Sequence, residues 1–345
     1  MKQPTPIYRI TLDGNDLTSA IAPRLISLSL TETRGEDADT LDVSLEDSDG
    51  RLSIPKRGAV LDVAFGWQGT GLVNKGKFTI DEVEHAGTPD TITMRGRSAS
   101  LSKGLGERRE KSWHGQSIKT IVNTIAGKHK LTPKVAADLA KIVIGHIDQS
   151  NESDMSFLGR LAKRFDAVMN VKDGNLLFMP IGGAVTASGK PLTALNITRK
   201  HGDRHRYHVA EREAYEGVRA YWYENGKKKR HSVIVGGENN QNMKVLPENY
   251  PSQAEAEAAA TAELKRVKRG QATMNLELAI GIPELFPEMP VTLSGWKPEI
   301  DDTPWLLRRV SHELNNSGYT CGCEFEVRDD PRAAKHRSNF RKGGK

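Results

Sequence analysis

The chain has very little cysteine: two residues in 345, Cys321 and Cys323, in a Cys-Gly-Cys run. That is not the framework of a disulfide-stapled secreted protein, so assembly in a reducing compartment is expected. No run approaches the roughly eighteen apolar residues needed to span a bilayer. The first ten residues, MKQPTPIYRI, lack the apolar core of a signal peptide. The expectation is a soluble protein made in a cytoplasm. Aromatic residues are only 6% while 27% of the chain is charged, which fits a globular protein with many exposed faces and not a disordered one. Catalytic signatures are missing too. There is no Gly-x-Ser-x-Gly elbow, no His-Glu-x-x-His, no phosphate loop and no paired-glycine dinucleotide turn, so no enzyme class gains support. Acidic residues are absent after Asp330, where Arg332, Lys335, Arg337, Arg341, Lys342 and Lys345 account for the whole formal charge of +6. The other 44 basic residues balance the 44 acidic ones, so the body is neutral and residues 331–345 are expected to form a disordered basic tail.

A length of 345 residues exceeds one ordinary core and suggests two or three domains. The most informative stretch is Gln149 to Phe178. Phe157, Leu158, Leu161, Ala162 and Phe165 recur at the spacing of a helix with one apolar stripe. Asn151, Ser153 and Asp154 precede the stripe, and any of them can accept the free amide hydrogens of a first helical turn. After Phe165 the period falls to about two, and Asp173-Gly174 then marks a hairpin turn whose central residues need positive φ. The stretch reads as a helix followed by a β-hairpin.

Residues 1–105 carry short alternating segments, such as LISLSL at Leu25–Leu30 and LDVSL at Leu41–Leu45, and read as a small antiparallel β domain, a barrel or sandwich. Residues 106–185 turn α+β. Ile118, Ile121, Val122, Ile125 and Ala126 form a helical stripe, Thr132-Pro133 is expected to open a second, shorter helix, and Ile142–Ile147 reads as a strand. Strands return in 186–274, followed by a helix from Ser252 to Arg269 with Ser252 and Glu255 as a capping box and Gly270 as its stop. Its line of small apolar residues, with Ala256, Ala260, Leu264 and Val267, predicts close packing on a sheet. The last segment, 275–330, is again β.

Four groups of residues are candidates for chemistry. His201, His205 and His208 have the spacing of metal ligands on a helix, but Gly202, the flanking β signals and four neighbouring Arg/Lys side chains favour a solvated basic strand or loop. Cys321 and Cys323 lack a second ligand pair, with His312 the only histidine nearby, and read as two half-buried strand thiols. Glu152 and Asp154 read as helix-start carboxylates before they read as an acid pair. Lys227–Arg230, beside Tyr221, Trp222 and Tyr223, can be drawn as a nucleic-acid clamp, yet a basic hairpin tip guarding a sheet edge is the commoner arrangement. No cofactor, metal or membrane contact is expected, and nucleic acid stands behind protein as a partner.

These residues together resemble the phage late control gene D protein family, the hub proteins of contractile tails, which are similar to the hub part of type VI secretion VgrG proteins. The resemblance rests on the Ile118–His129 helix, then Gln149, Glu152-Ser153-Asp154, Phe157-Leu158, Arg160-Leu161-Ala162 and Asp173-Gly174. The C-terminal part adds Gly281-Ile282-Pro283-Glu284-Leu285, Pro290-Val291-Thr292-Leu293, Trp305, Val310, His312 and Gly318-Tyr319-Thr320. It covers about residues 5–330. One departure is Glu288-Met289-Pro290, where relatives often place glycine.

The resemblance implies an α+β, mainly β fold of two discontinuous β-barrel domains with inserted helices, at the hub of a trimeric pseudo-sixfold ring. On that reading residues 190–245 complete the first barrel and 275–330 complete the second around the 106–185 segment. It further implies a homotrimer that adapts a sixfold tail tube to a threefold spike, with a tail spike protein, a tube or tube-initiator protein, a tape-measure protein and baseplate wedge proteins as partners. The signature residues would be structural: Gln149, Glu152, Ser153, Asp154, Phe157, Leu158, Leu161, Asp173 and Gly174. A type VI secretion hub and, in a different class, a DNA-binding late-gene regulator are the alternatives.

Overall fold

The computed structural model describes residues 4–35, 38–98, 104–172, 174–185, 190–209, 215–224, 229–237 and 242–329. The N-terminal part is antiparallel. Strand β1 (Pro6–Leu12) turns through Asp13 and Gly14, at φ 49° and 87°, into the two-residue β2 (Asn15–Asp16). Two positive φ values are what a two-residue hairpin loop demands. Helix α1 (Thr18–Ile21) leads to β3 (Leu25–Thr33), β4 (Thr40–Glu46), β5 (Val60–Trp67), β6 (Gly71–Ala86) and β7 (Thr91–Ser98). The period-2 pattern sets the burial: Leu28 and Leu30 on β3 and Leu41, Val43 and Leu45 on β4 face one core.

The second unit runs through β8 (Arg108–Ser117), α2 (Ile118–Lys128), β9 (Thr132–Val135), α3 (Ala137–Ala140), β10 (Val143–Ser153), α4 (Asp154–Arg164), β11 (Ala167–Lys172) and β12 (Asn175–Pro180). Strands β8 and β10 pair with each other, and β11, β12 and β9 form a three-stranded sheet. The stripes of α2 and α4 meet in one separate core with Trp113, Met169 and Phe178. Thr132-Pro133 does not open a helix. It begins β9, which pairs in parallel with β12, and the Thr132 N–H donates to the Gly174 carbonyl at 2.9 Å. Proline is tolerated because β9 is the sheet's edge; the helix shrinks to the four residues of α3.

Two short strands follow, β13 (Leu195–Thr198) and β14 (Gly202–Val209). Strands β15 (Gly217–Glu224), β16 (Lys229–Gly236) and β17 (Met243–Tyr250) then make a small sheet under helix α5 (Gln253–Gly270). Ser252 caps α5, its Oγ accepting from the Glu255 N–H at 3.3 Å. Ala256, Ala259, Ala260 and Leu264 lie against Val218 and Ala220 in a third core, the close helix-on-sheet contact that small side chains permit. The chain ends its described part with β18 (Ala272–Leu278), β19 (Pro290–Ser294), α6 (Pro298–Asp301), β20 (Trp305–Asn315) and β21 (Gly318–Val327).

Thirteen of these strands form one sheet in the order β14, β18, β21, β20, β3, β4, β7, β6, β5, β1, β2, with β13 and β19 attached through the β19–β20 pair. Its halves, β1–β7 on one side and β13, β14 and β18–β21 on the other, join where β3 runs antiparallel to β20 from Ser27↔Asn315 to Thr33↔Arg309. This corrects the pairing expected from the sequence. Strands of 275–330 extend the N-terminal sheet and do not close around 106–185. Within 190–245 only β13 and β14 enter the large sheet, beside β19 and β18. The physical reason is core continuity: Val310 and Leu314 of β20 extend the buried row of Leu28 and Leu30, while α2 and α4 already close the core of the middle unit.

Candidate functional site

The signature stretch is a junction built from polar side chains. Strand β10 bulges between Gln149 and Glu152, with Asn151 at φ 49°, and then passes directly into α4. Ser153 is the N-cap, its Oγ accepting from the Ser156 N–H at 3.1 Å. Asp154, only 2% exposed, is the hub of the cluster. Its Oδ1 accepts from Gln149 Nε2 at 2.9 Å, and its Oδ2 accepts from Lys128 Nζ at 3.0 Å and His129 Nε2 at 2.7 Å, with Arg109 Nε at 3.4 Å. Burial pushes this carboxyl up, but the hydrogen bonds from Gln149, His129 and Lys128 outweigh it and hold the pKa below the ordinary aspartate value. The charge therefore ties the start of α4 to the end of α2 and to β8. Glu152 makes a different contact, a two-pronged pair with Arg160 one helical stretch further on, at 2.7 and 3.2 Å. Below, Phe157, Leu158 and Leu161 are fully buried, and Phe157 stacks on Trp113 with ring centroids 6.0 Å apart. Gly174, at φ 73°, stands in the β11–β12 turn; Asp173 lies outside the described residues.

Two networks that the sequence did not announce tie the units together. The first is a chain of ion pairs, buried at Asp166 and Arg269 and half-buried beyond them. Arg269 at the end of α5 holds Asp166 through both its Nη atoms, one at 2.6 Å, and reaches Glu326 of β21 at 2.9 Å. Glu326 in turn meets Arg34 at 2.6 Å, and Arg34 pairs with Glu288. Glu288 stands at φ 73°, a conformation that glycine adopts most readily. Its carboxylate accepts from the Gly182 N–H at 2.7 Å, so the contact with the middle unit depends on the side chain that glycine would lack.

The second network crosses the joint between the two halves of the large sheet. Lys75 Nζ donates to Glu32 Oε2 at 2.6 Å and to the Leu285 carbonyl at 2.9 Å. His312 Nε2 lies 3.2 Å from the same carboxylate oxygen, and its Nδ1 lies 2.8 Å from Tyr319 Oη and 3.1 Å from Cys321 Sγ. An ionised carboxylate only accepts, so His312 carries its proton on Nε2 and offers a lone pair from Nδ1. Burial alone would raise Glu32, yet His312 and Lys75 bring it down to about 2. Burial lowers His312 against the opposing pull of Glu32, which keeps the ring neutral.

Cys321, His312 and Glu32 have the order of a nucleophile, base and orienting acid, but the arrangement is not poised for catalysis. All three are 1–2% exposed, and burial pushes the Cys321 thiol up to about 11 where a nucleophile needs it lowered. Both thiols are buried, more completely than the sequence implied.

The remaining candidates separate. His205 and His208 are three residues apart on β14 and so face opposite sides, while His201 Nδ1 lies 3.3 Å from Thr198 N. Arg230 lies over the Tyr221 ring at 3.7 Å, and Trp222 stacks on His231 across the β15–β16 pair. Lys227 and Lys228 lie outside the described residues, as does the 331–345 tail. Among the described residues no group of three or more His, Cys, Asp or Glu is placed to hold a metal.

The divided sheet held by buried polar joints has the fold of known phage tail proteins. The 43 kDa tail protein of prophage MuSo2 from Shewanella oneidensis superimposes with a TM-score of 0.70 at 13% identity, over 94% of this chain and 98% of that one. A component of the E. coli type VI secretion system, itself described as similar to T4 bacteriophage tail proteins gp27 and gp5, superimposes with a TM-score of 0.54 at 12% identity, over 90% and 74% of the two chains. Sequence narrows the class. The probable baseplate hub protein of Escherichia phage 186 is 44% identical, with 94% of this chain and 93% of that protein covered. The family model for the phage tail baseplate hub (GPD) matches residues 40–318. The chain belongs to the phage tail baseplate hub family, and its function is that of a structural hub in the baseplate of a phage tail or tail-like particle.

Proposed function

We propose that the chain works without catalysis, as a homotrimer whose three copies of the divided sheet make a pseudo-sixfold ring between a sixfold tail tube and a threefold spike. The observation that carries this reading is the β3–β20 joint. It makes one sheet out of two halves of similar size, β1–β7 and β13, β14, β18–β21, so three copies offer six comparable elements. A ring of this kind is a closed, heterologous assembly, which fixes subunit number through geometry. Its partners in this reading are the spike, the tube or tube-initiator protein, the tape-measure protein and the baseplate wedges, met during assembly in the host cytoplasm.

The alternatives have less support. The 44% identity over nearly the whole chain is to a phage baseplate hub, whereas the type VI likeness, at 12% identity, speaks for the fold. A DNA-binding regulator draws nothing from the baseplate hub family match, and residues 1–330 carry no net excess of basic residues. Size-exclusion chromatography with light scattering tests the proposal. The expected mass is about three times the 38.0 kDa of one chain, alone or with the spike protein. A stable monomer that also fails to bind the spike protein rejects it.

A further inference from the structure

Where α4 and α5 end against β20 and β21, the surface opens into a cleft of about 740 Å³. Strand β20 bulges between Leu307 and Arg309, and the Arg34 N–H donates to the Arg308 carbonyl at 3.2 Å within that bulge. Regular alternation would turn one of two successive side chains inward. The bulge instead leaves Arg308 and Arg309 both exposed, a known use of the extra residue. Lys163 and Arg266 come in from the helix ends, and Arg34 and Arg269 lie beneath them.

Among the described residues six cations thus line the cleft against three acids, Asp166, Glu324 and Glu326, while Arg266 also pairs with Glu263 beside it. Those acids are already engaged. Asp166 and Glu326 hold Arg269 and Arg34, and Glu324 makes a loose 3.6 Å pair with Arg309. Among the described residues neither Arg308 nor Lys163 has an acidic partner. Between the cations the lining is aliphatic: Ala162, Ala167, Val168, Met169 and Ile181.

We propose that this cleft docks an acidic segment of a partner protein, one that alternates carboxylates with aliphatic side chains. A carboxylate can take two N–H donors from an arginine in one plane, and Arg308 and Arg309 present two such forks side by side. The aliphatic lining fits the apolar side chains between the acids. Nucleic acid fits less well. Among the described residues no aromatic ring lines the cleft to stack a base, and a phosphate chain cannot avoid Glu324 and Glu326 as a polypeptide with spaced acids can. The proposal does not depend on subunit number, so it stands or falls separately from the ring.

The test uses the full-length protein and a fluorescein-labelled octapeptide of alternating Glu and Leu, read by fluorescence anisotropy, with the matching Lys-Leu peptide as control. The wild type should bind the Glu-Leu peptide saturably, more weakly as salt rises and screens the exposed pairs. R308E/R309E should weaken binding at least about tenfold, as expected when rim charges are reversed. Lys163→Glu should weaken it by about threefold or more, and Arg57→Glu, on a distant exposed turn, should leave it unchanged. If the double variant loses its urea midpoint, Lys163→Glu decides alone. Three results overturn the proposal: no saturable binding to the wild type, binding by the folded Lys163 and double variants as tight as that of the wild type, or single-stranded DNA of like length that displaces the peptide and binds more tightly through the same arginines.

Discussion

Replacing Asp154 with Asn keeps the size of the side chain and removes its charge. The Oδ1 contact with Gln149 can survive, but the new amide would point N–H donors at Lys128 and His129, which are donors themselves, where Oδ2 now accepts at 3.0 and 2.7 Å. Hydrogen bonds to a charged acceptor are worth about 1.5–3 kcal/mol each, and breaking a buried charge cluster costs about 3–5 kcal/mol. Lys128 is 40% exposed and can turn to water, which discounts its share. The net expectation is a loss of about 3 kcal/mol, or roughly a hundredfold in the opening equilibrium of the unit. Hydrogen exchange at neutral pH should show it as lost protection in α2 and α4, with the large sheet unaffected. The pH dependence has a fixed sign. The folded pKa of Asp154 is depressed, so its contribution is complete above the ordinary aspartate range and is lost as pH falls through the folded value. In urea unfolding, wild type and Asp154→Asn should therefore converge in acid. A loss below tenfold in exchange protection at neutral pH, or a gap between the two proteins that widens in acid, would refute the reasoning.

Other perturbations follow from the same geometry. Arg269→Met leaves Asp166 buried without its cation, while Glu326 keeps Arg34, and should cost about 3–5 kcal/mol, read as a fall in the urea midpoint. Phe157→Asp or Leu161→Asp buries an unpaired charge in the middle core and should abolish folding and particle assembly together; soluble, trimeric variants would show that the stripe has been misread. Gly281→Ala sets a methyl group 2.7 Å from the Tyr319 ring, and overpacking of this kind should lower the thermal midpoint by the equivalent of about 1–3 kcal/mol. Cys321, with its thiol pushed up to about 11 and buried, should resist iodoacetamide at pH 8 until the protein is unfolded, as mass spectrometry of the labelled peptide would report.

What the sequence revealed was local. The stripes of α2 and α4, the Ser252 cap, the Asp13-Gly14 turn and the alternation of β3 and β4 are written in a few neighbouring residues. Strand partnership was not, because β3 and β20 lie about 280 positions apart and any apolar strand fits another until the core is assembled. The inner polar residues were half legible. Glu32 shares the phase of Leu28 and Leu30, and His312 that of Val310 and Leu314, so a charge and an imidazole on buried rows were readable as members of some network. Lys75 and Leu285, which complete that network, carry no such mark, since one follows a long strand's irregular register and the other only accepts through its backbone carbonyl. Likewise the Glu152-Ser153-Asp154 run looked like a helix start, and it is one, but the partners of Asp154 on α2 were invisible without the tertiary fold.

The hub proposed above sits where the tube meets the spike. Electron microscopy of the purified parent particle, with the chain tagged at its C-terminus and marked by gold, tests it most directly. The account predicts label confined to the baseplate end of the tube, on its axis, with three tags per particle. Label along the sheath, at the head end, or absent from intact particles would contradict it.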